Sequence, residues 1–337
     1  MQVCGLTTTV CIWKKKSEVQ AYISNDTEDD NVLELSGIEK LSNLVNGYVN
    51  HKVDLPVQAS EDYELKPLEK KNLPKERRVK LTHAKVELFA TDIHFPFENK
   101  TGWQLFVQAV DEIQPDIIWL NGDVVDMFAA SQWDKDPKTA HEFNIQYEFD
   151  YTKEKIAELR RLAPNAQIYF KEGNHETRLQ RFLNKNAPAL RSLKAITVPY
   201  NLGLTELNVE WVENNDKYRI GELWHLHGNE IGGGGANVAL AKLRKLLSNC
   251  IFGHYHVQQT AIFRKYCGSP IGAWAIASLC DFNQDYVHHA DSWSNGFARV
   301  EYLPSGLFDV NPVQILTDGD KQICRVDGQW FEQEIIK

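Results

Sequence analysis

The chain has 337 residues, a formal net charge of -9, 43% hydrophobic residues and six cysteines, enough for one large core with an appended region. The acidic balance argues against a broad basic surface that grips nucleic acid through its phosphates, so any such contact has to be local. Cys4, Cys11, Cys250, Cys267, Cys280 and Cys324 form no CxxC pair, which disfavours a zinc ribbon or a dense disulfide framework, and no stretch approaches the roughly 20 apolar residues of a membrane span.

At the N-terminus short apolar stretches run into Lys14, Lys15 and Lys16, the reverse of a secretory leader, so a cytoplasmic protein is expected. Residues 1–80 read as an extension and linker. They hold strand-like alternation at 19–23, an acidic cluster at 26–30 and a basic run at 69–80, whose plainer reading is a solvated face. From Lys85 the pattern changes, and residues 81–312 read as one core. Residues 86–90 form an apolar run of strand length, and 101–113 place Leu105, Phe106, Ala109, Val110 and Ile113 on one helical face. A buried strand at 116–120, a helix marked by Ile156, Leu159 and Leu162, a strand at 167–170 and a helix from Glu176 complete a β-α-β-α-β order. Strands at 222–226 and 250–252 flank a helix at 236–247. The later strands, at 260–263, 271–279, 297–302 and 313–316, have no helices between them and suggest a second, partly antiparallel sheet. Residues 313–337 read as C-terminal strands and a tail.

The chemistry-bearing residues stand just after predicted strands: Asp92 and His94; Gly122, Asp123 and Asp126; Gly173, Asn174, His175 and Glu176; His227 and Gly228; and Gly253, His254 and His256. In an open α/β sheet the carboxyl ends of the strands lie along one edge, so five separate loops can converge on one site. They deliver carboxylates, imidazoles and an amide oxygen but no thiolate, a set that suits Mn, Fe or Zn. Two such ions about 3.5 to 4 Å apart can clamp the attacking and leaving oxygens of an in-line displacement and lower the pKa of a shared water, and phosphate ester hydrolysis most needs this. The glycines stand where the chain must turn sharply beside a ligand.

In this order the motifs DxH, GDxxD, GNHE, HG and GHxH resemble the calcineurin-like metallophosphoesterase superfamily, over roughly two thirds of the chain. SQWDKDP at 131–137, GNHETR at 173–178, SLCDFN at 278–283 and residues 293–297 are similar to a group of phosphoesterases common in bacteriophages and prophages. The resemblance implies an α/β (α+β) fold, a two-sheet β-sandwich flanked by helices, here with an N-terminal extension. It implies that Asp92, His94 and His256 bind one metal, that Asn174, His227 and His254 bind a second, and that Asp123 bridges them. His175 would act on the substrate, by stabilising phosphoryl oxygens or protonating the leaving oxygen, with Asp126 orienting it. Arg178 would either help hold a phosphate or pair with Glu176 or a helix neighbour. The implied cofactor is two divalent ions, Mn being expected and Fe, Zn or Mg the alternatives, and the implied reaction is attack by a hydroxide between them.

His225 competes with His227: they share a strand face two residues apart, and His227 is preferred because it is nearer the strand end and precedes glycine. Gly232 to Gly235 lack a following Lys-Ser or Lys-Thr, which disfavours a P-loop and suggests a flexible rim. His141, His288 and His289 read as exposed loop histidines, and Trp133 as core or as a stacking platform. The phage-type resemblance implies a phosphodiester, DNA or RNA included, and the scarcity of cations near the motifs, only Arg178 and Lys171, points the same way. The acidic charge and the lack of a long basic stripe point instead to a small phosphate ester or phosphoprotein; the diester is the expected substrate. The alternatives are a phosphomonoester and a non-catalytic scaffold. The intact His175 and complete ligand set speak against the scaffold.

Overall fold

The computed structural model describes residues 75–131, 144–232, 236–264, 268–283 and 292–336, and the backbone of two strands near the N-terminus, Thr8–Lys15 (β1) and Glu18–Asn25 (β2). The chain divides into two units, Met1–Lys71 and Asn72–Lys337. In the first, β1 and β2 pair antiparallel, with Val10 opposite Ile23 and Ile12 opposite Ala21, which matches the alternation at 19–23.

The second unit is built on two mixed six-stranded sheets. One runs β14-β13-β4-β5-β6-β7, from Phe308–Gln314 (β14), Gly296–Tyr302 (β13), Lys85–Ala90 (β4), Ile117–Asn121 (β5), Gln167–Lys171 (β6) and Val209–Val212 (β7). The other runs β11-β12-β10-β9-β8-β3, from Gln259–Arg264 (β11), Pro270–Ala275 (β12), Cys250–Phe252 (β10), Leu223–Leu226 (β9), Lys217–Ile220 (β8) and Glu76–Val79 (β3). In the first sheet β4 to β7 are parallel, with antiparallel β13 and β14 at one edge.

Period-two alternation assigns each side chain of the parallel strands to a layer. Phe89, Ile117, Trp119 and Tyr169 turn inward to meet Tyr218, Ile220, Leu223 and Ile251 of the facing sheet. Leu88, Ala90, Ile118, Leu120, Ile168 and Phe170 turn outward onto the helices Lys100–Ile113 (α1) and Ile145–Leu162 (α2), through Trp103, Phe106, Val110, Ile156 and Leu159. On the far side, Val238, Ala239 and Leu243 of Val238–Leu246 (α5) cover Leu226, Phe252 and Ala273. Strands buried on both faces read as near-continuous apolar runs, interrupted here by Glu87, which makes 86–90 and 117–120 legible in sequence. The helices α1 and α2 begin at side-chain caps, with Asn99 and Asn144 accepting from Gly102 N and Tyr147 N. This is the expected two-sheet sandwich flanked by helices.

The strands differ from the sequence reading in three respects. The late strands do not form one sheet: β11 and β12 join β10, whereas β13 and β14 return to the first sheet beside β4. The strand β3 lies inside the stretch read as linker and pairs parallel with β8, its Arg77 and Arg78 carried on an exposed edge. Residues 316–334 build a further three-stranded sheet, Leu316–Asp318 (β15), Lys321–Val326 (β16) and Gln329–Glu334 (β17), which adds Cys324, Val326 and Phe331 to the core beneath α1. None of these pairings is encoded in local periodicity.

Candidate metal centre

The predicted ligands leave β4, β5, β6, β9 and β10 at their carboxyl ends. The loops after β4 and β5 run side by side, with Asp92 N donating to Gly122 O (3.1 Å), His94 N to Asp123 O (2.9 Å) and Phe95 N to Val124 O (2.8 Å). Glu176, buried at the start of Thr177–Asn186 (α3), ties these loops to the third: Oε1 accepts from Val124 N (2.8 Å) and Val125 N (3.0 Å), and Oε2 from Asp123 N (3.0 Å) and Gly173 N (2.8 Å). Burial and the neighbouring Asp123 charge push the Glu176 pKa up to about 7, but four N–H donors leave no acceptor for a carboxyl proton, so the bonding itself calls for the ionised form. In sequence Glu176 carries no role beyond a pairing with Arg178, and that pairing does not form.

Asp92, His94, Asp123, His254 and His256 all adopt left-handed backbone, with φ of 50°, 58°, 50°, 70° and 57°. That conformation is unfavourable for residues with a Cβ and collects at functional sites. The glycines serve close approach as well as turning: a Cβ on Gly253 would stand 2.2 Å from Asp92 Oδ2, and one on Gly173 2.3 Å from Asp123 Oδ1.

Three groups of ligand atoms converge: Asp92, His94 and His256; Asp123, His227 and His254; and His94, Asp123 and His175. Asp123 belongs to two of them, between His227 and His254 on one side and His94 and His175 on the other. In the first group His94 Nε2 lies 3.4 Å from His256 Nε2, and His256 Nε2 3.2 Å from Asp92 Oδ1. In the second, His227 Nε2 lies 3.1 Å from Asn174 Oδ1 and 3.3 Å from Asp123 Oδ2.

Hydrogen-bond roles test whether cations fit. His227 Nδ1 is 2.8 Å from Asn121 O, which only accepts, so Nδ1 carries the proton and Nε2 turns a lone pair towards Asn174 Oδ1 and Asp123 Oδ2, both acceptors. His94 Nδ1 likewise faces the Asp126 carboxylate at 2.9 Å, leaving Nε2 aimed at His256 Nε2. Lone pairs facing lone pairs in a buried site need positive charge between them, and a divalent cation or a proton can supply it. The electrostatics of the cluster carry the same need. Burial alone would lower His227, but the carboxylates of Asp123 and Asp92 raise it to about 10. His256 is raised as well, against its burial, by Cys280 and Asp92. Asp92, which burial would raise, is held at about 2 chiefly by His256.

Asp126 holds two imidazoles, at 2.9 Å from His94 Nδ1 and 3.4 Å from His175 Nδ1, and these bonds keep it ionised despite burial. His175 Nδ1 also lies 2.8 Å from the Asp126 carbonyl. Arg178 turns away from Glu176: Nη1 donates to Asp126 O (2.9 Å) and Nη2 stands 2.7 Å from His175 Nε2. Lys171 is fully buried, donating to Asn214 O (2.6 Å) and pairing with Glu230 (3.2 Å), so it is no cation for a substrate. His225 points into the sandwich, 2.9 Å from Glu87 Oε1, and joins none of the three groups. Asn121 and Glu230 fix His227 and its glycine; in sequence the signal for Asn121 is a polar residue ending an apolar strand, and Glu230 has none. Trp133, His141, His288, His289 and Gly233 to Gly235 lie outside the described residues.

Carboxylates and imidazoles thus cluster, buried, at the carboxyl edge of a two-sheet sandwich, in groups that could hold divalent metal ions. Residues 88–265, just over half of the chain, match the calcineurin-like phosphoesterase family, and the chain belongs to it. It is 24% identical over 221 residues to the Gene 54 protein of Mycobacterium phage L5, covering 62% of this chain and 86% of that protein. To the Gene 54 protein of Mycobacterium phage D29 it is 24% identical over 179 residues, covering 50% and 68%. Among solved structures it is similar to vacuolar protein sorting 29 from Cryptosporidium parvum (13% identity, 74% of this chain and 96% of that chain, TM-score 0.36) and to Yfce, a phosphoesterase from E. coli (11% identity, 74% and 100%, TM-score 0.33). Family membership is consistent with a metal-dependent phosphoester hydrolase. Among the described residues no helix is long and apolar enough to cross a membrane.

Proposed function

We propose that the protein hydrolyses phosphodiesters, nucleic acid included, at a centre where Asp92, His94 and His256 hold one divalent ion, Asn174, His227 and His254 hold another, and Asp123 lies between. Two ions bound there would supply Lewis-acid polarisation of the phosphoryl oxygens and acidify a shared water. Mn is the ion we expect to support turnover. The protein's own groups then divide the work. Asp126 fixes the imidazole of His175, whose Nε2 faces the centre 3.8 Å from Asp123 Oδ2. Because arginine only donates, its contact at 2.7 Å makes His175 Nε2 an acceptor while the pair persists. A phosphoryl oxygen that draws Arg178 onto itself frees that nitrogen to take up a proton from solvent, an uptake favoured against burial by Asp123 and Asp126, and His175 can then pass this proton to the leaving oxygen.

The observation that favours a diester is the shortage of positive charge. Among the described residues Arg178 is the single Arg or Lys hydrogen-bonded or ion-paired to the predicted site residues, and it is already engaged by Asp126. A diester monoanion asks less of such a site than a monoester dianion. Parallel kinetics on bis(4-nitrophenyl) phosphate and 4-nitrophenyl phosphate with Mn, Fe, Zn and Mg, with gel assays on single-stranded DNA and RNA, test the reading. Diester turnover at least equal to monoester turnover is expected; brisk monoester turnover with no diester or nucleic-acid cleavage in any metal overturns it.

A further inference from the structure

The chain is acidic overall, yet residues 177–205 contain no Asp or Glu and carry Arg178, Arg181, Lys185, Arg191 and Lys194. The segment starts at the centre: α3 follows His175 and Glu176 directly, and Arg178 in its first turn touches His175 Nε2. Spacings of three and four put Arg178, Arg181 and Lys185 along one flank of α3, while Leu179 and Leu183 anchor the opposite flank in the core. The ten residues of α3 carry this row about 15 Å. Two single-turn helices, Pro188–Leu190 and Lys194–Ile196, and the short helix Val198–Asn201 (α4) continue the segment. Arg181, Lys185, Arg191 and Lys194 are exposed and form no ion pair among the described residues. Among them lie large exposed apolar side chains: Phe182 (49% exposed), Leu190 (46%), Leu193 (51%) and Tyr200 (62%).

Basic side chains alone would suit any polyanion. Interleaved aromatic rings narrow the choice, because a ring left in water can stack on an unpaired base, whereas the bases of a duplex are already stacked. Continuity with a centre that acts on phosphate esters narrows it again. We infer that α3 and the turns after it form a binding surface for single-stranded nucleic acid, leading the strand to the metal centre at Arg178. The inference rests on the phosphodiester reading and gives the substrate its class. It also reconciles an acidic protein with a polyanionic ligand, since this segment carries basic side chains and no carboxylate side chain.

The test uses the full metal-loaded chain and a fluorescent single-stranded oligonucleotide with phosphorothioate linkages to resist cleavage, read by anisotropy over a salt series. In the combined Arg181→Ala, Lys185→Ala, Arg191→Ala, Lys194→Ala variant, Kd should weaken by about ten-fold or more, and the slope of log Kd on log salt should flatten by roughly 2 to 3. Phe182→Ala with Tyr200→Ala should weaken binding roughly ten-fold with the slope kept. The charge-preserving Arg181→Lys, Arg191→Lys protein should bind like the parent, which separates lost charge from lost folding. Equal binding by the parent and the four-alanine variant, no binding by the parent, or competition by polyglutamate as effective as by unlabelled oligonucleotide would overturn the surface. Equal loss on bis(4-nitrophenyl) phosphate and on oligonucleotides would place the defect at the centre and overturn it too. If oligonucleotide binding falls in the variant while the parent turns over no diester, the surface stands and the phosphodiester reading fails; the opposite pattern fails the surface alone.

Discussion

His225 and His227 stand two residues apart around the end of β9, both fully buried, and their surroundings differ in kind. His225 points between the sheets, where Glu87 Oε1 lies 2.9 Å from its Nε2, Tyr302 Oη donates to Glu87 Oε2 (3.0 Å), and the Trp119 ring packs 4.3 Å away. There the His225 Nε2–H and the Tyr302 hydroxyl each meet a Glu87 oxygen, and His225 Nδ1 has no hydrogen-bond partner among the described residues. His227 meets an acceptor at Nδ1 and two more at Nε2, so its cluster closes only around added positive charge. Burial and polarity are the same in both places. What separates the two is the Nε2 end: in His225 it meets one carboxylate to which it can donate, and in His227 it faces acceptors while Nδ1 is already committed to another.

Asp123→Asn should break the comparison most completely. Asp123 is the carboxylate shared by two of the three groups, so its loss removes charge from both cation positions. Elemental analysis should find two ions per parent chain and fewer than two in the variant, with turnover lost. Two ions held as tightly as in the parent would refute the shared-carboxylate assignment. His175→Ala should separate binding from chemistry: both ions stay, while kcat on an ester with a poor leaving group falls by roughly 100-fold or more, the scale of general acid help. Parent-rate turnover by that variant would remove His175 from the reaction.

A smaller effect is expected at the His225 cluster. His225→Leu leaves Glu87 Oε1 without its partner in a dry interior, at a cost of about 1–3 kcal/mol in unfolding free energy, while metal content stays at the parent value. Denaturant unfolding and elemental analysis on one preparation give both numbers, and loss of an ion would show that the two histidines are not independent. The gentlest probe is pH. With chelator present, the His227 pKa rises from its ordinary 6.5 to about 10, so the proton it binds contributes stability that is fully present below about pH 6.5 and lost as pH climbs towards 10. A cation takes the place of that proton, so the slope should vanish in the loaded protein, and metal binding should release protons at pH 7. Melting curves from pH 6 to 9, with and without chelator, and titration calorimetry in buffers of different ionisation enthalpy check this. Parallel slopes in the two forms would show that His227 does not exchange a proton for a metal.

Sequence alone determined the elements whose signal is local. The apolar runs of β4 and β5 and the 3.6-residue stripe of α1 carry their burial in their own periodicity, because each faces a layer over its whole length. It also determined which residues cluster at the strand ends, since the parallel order β4, β5, β6 makes consecutive loops neighbours. Tertiary structure decided what depends on partners distant in the chain. The return of β13 and β14 to β4, the recruitment of β3 from a stretch that reads as linker, and the closure of β15 to β17 beneath α1 depend on which edge is free, and no window of residues records that. The roles inside the site depend on it too. Glu176, three residues beyond Gly173, spends both its oxygens on the Asp123 loop and not on Arg178, and Arg178 is thereby left to His175. Lys171 is adjacent to the motif in sequence but turned into the protein by the carbonyls of Glu213 and Asn214. Residue type and spacing state what a side chain can do, but only the three-dimensional match of donors to acceptors settles which of those possibilities it has left.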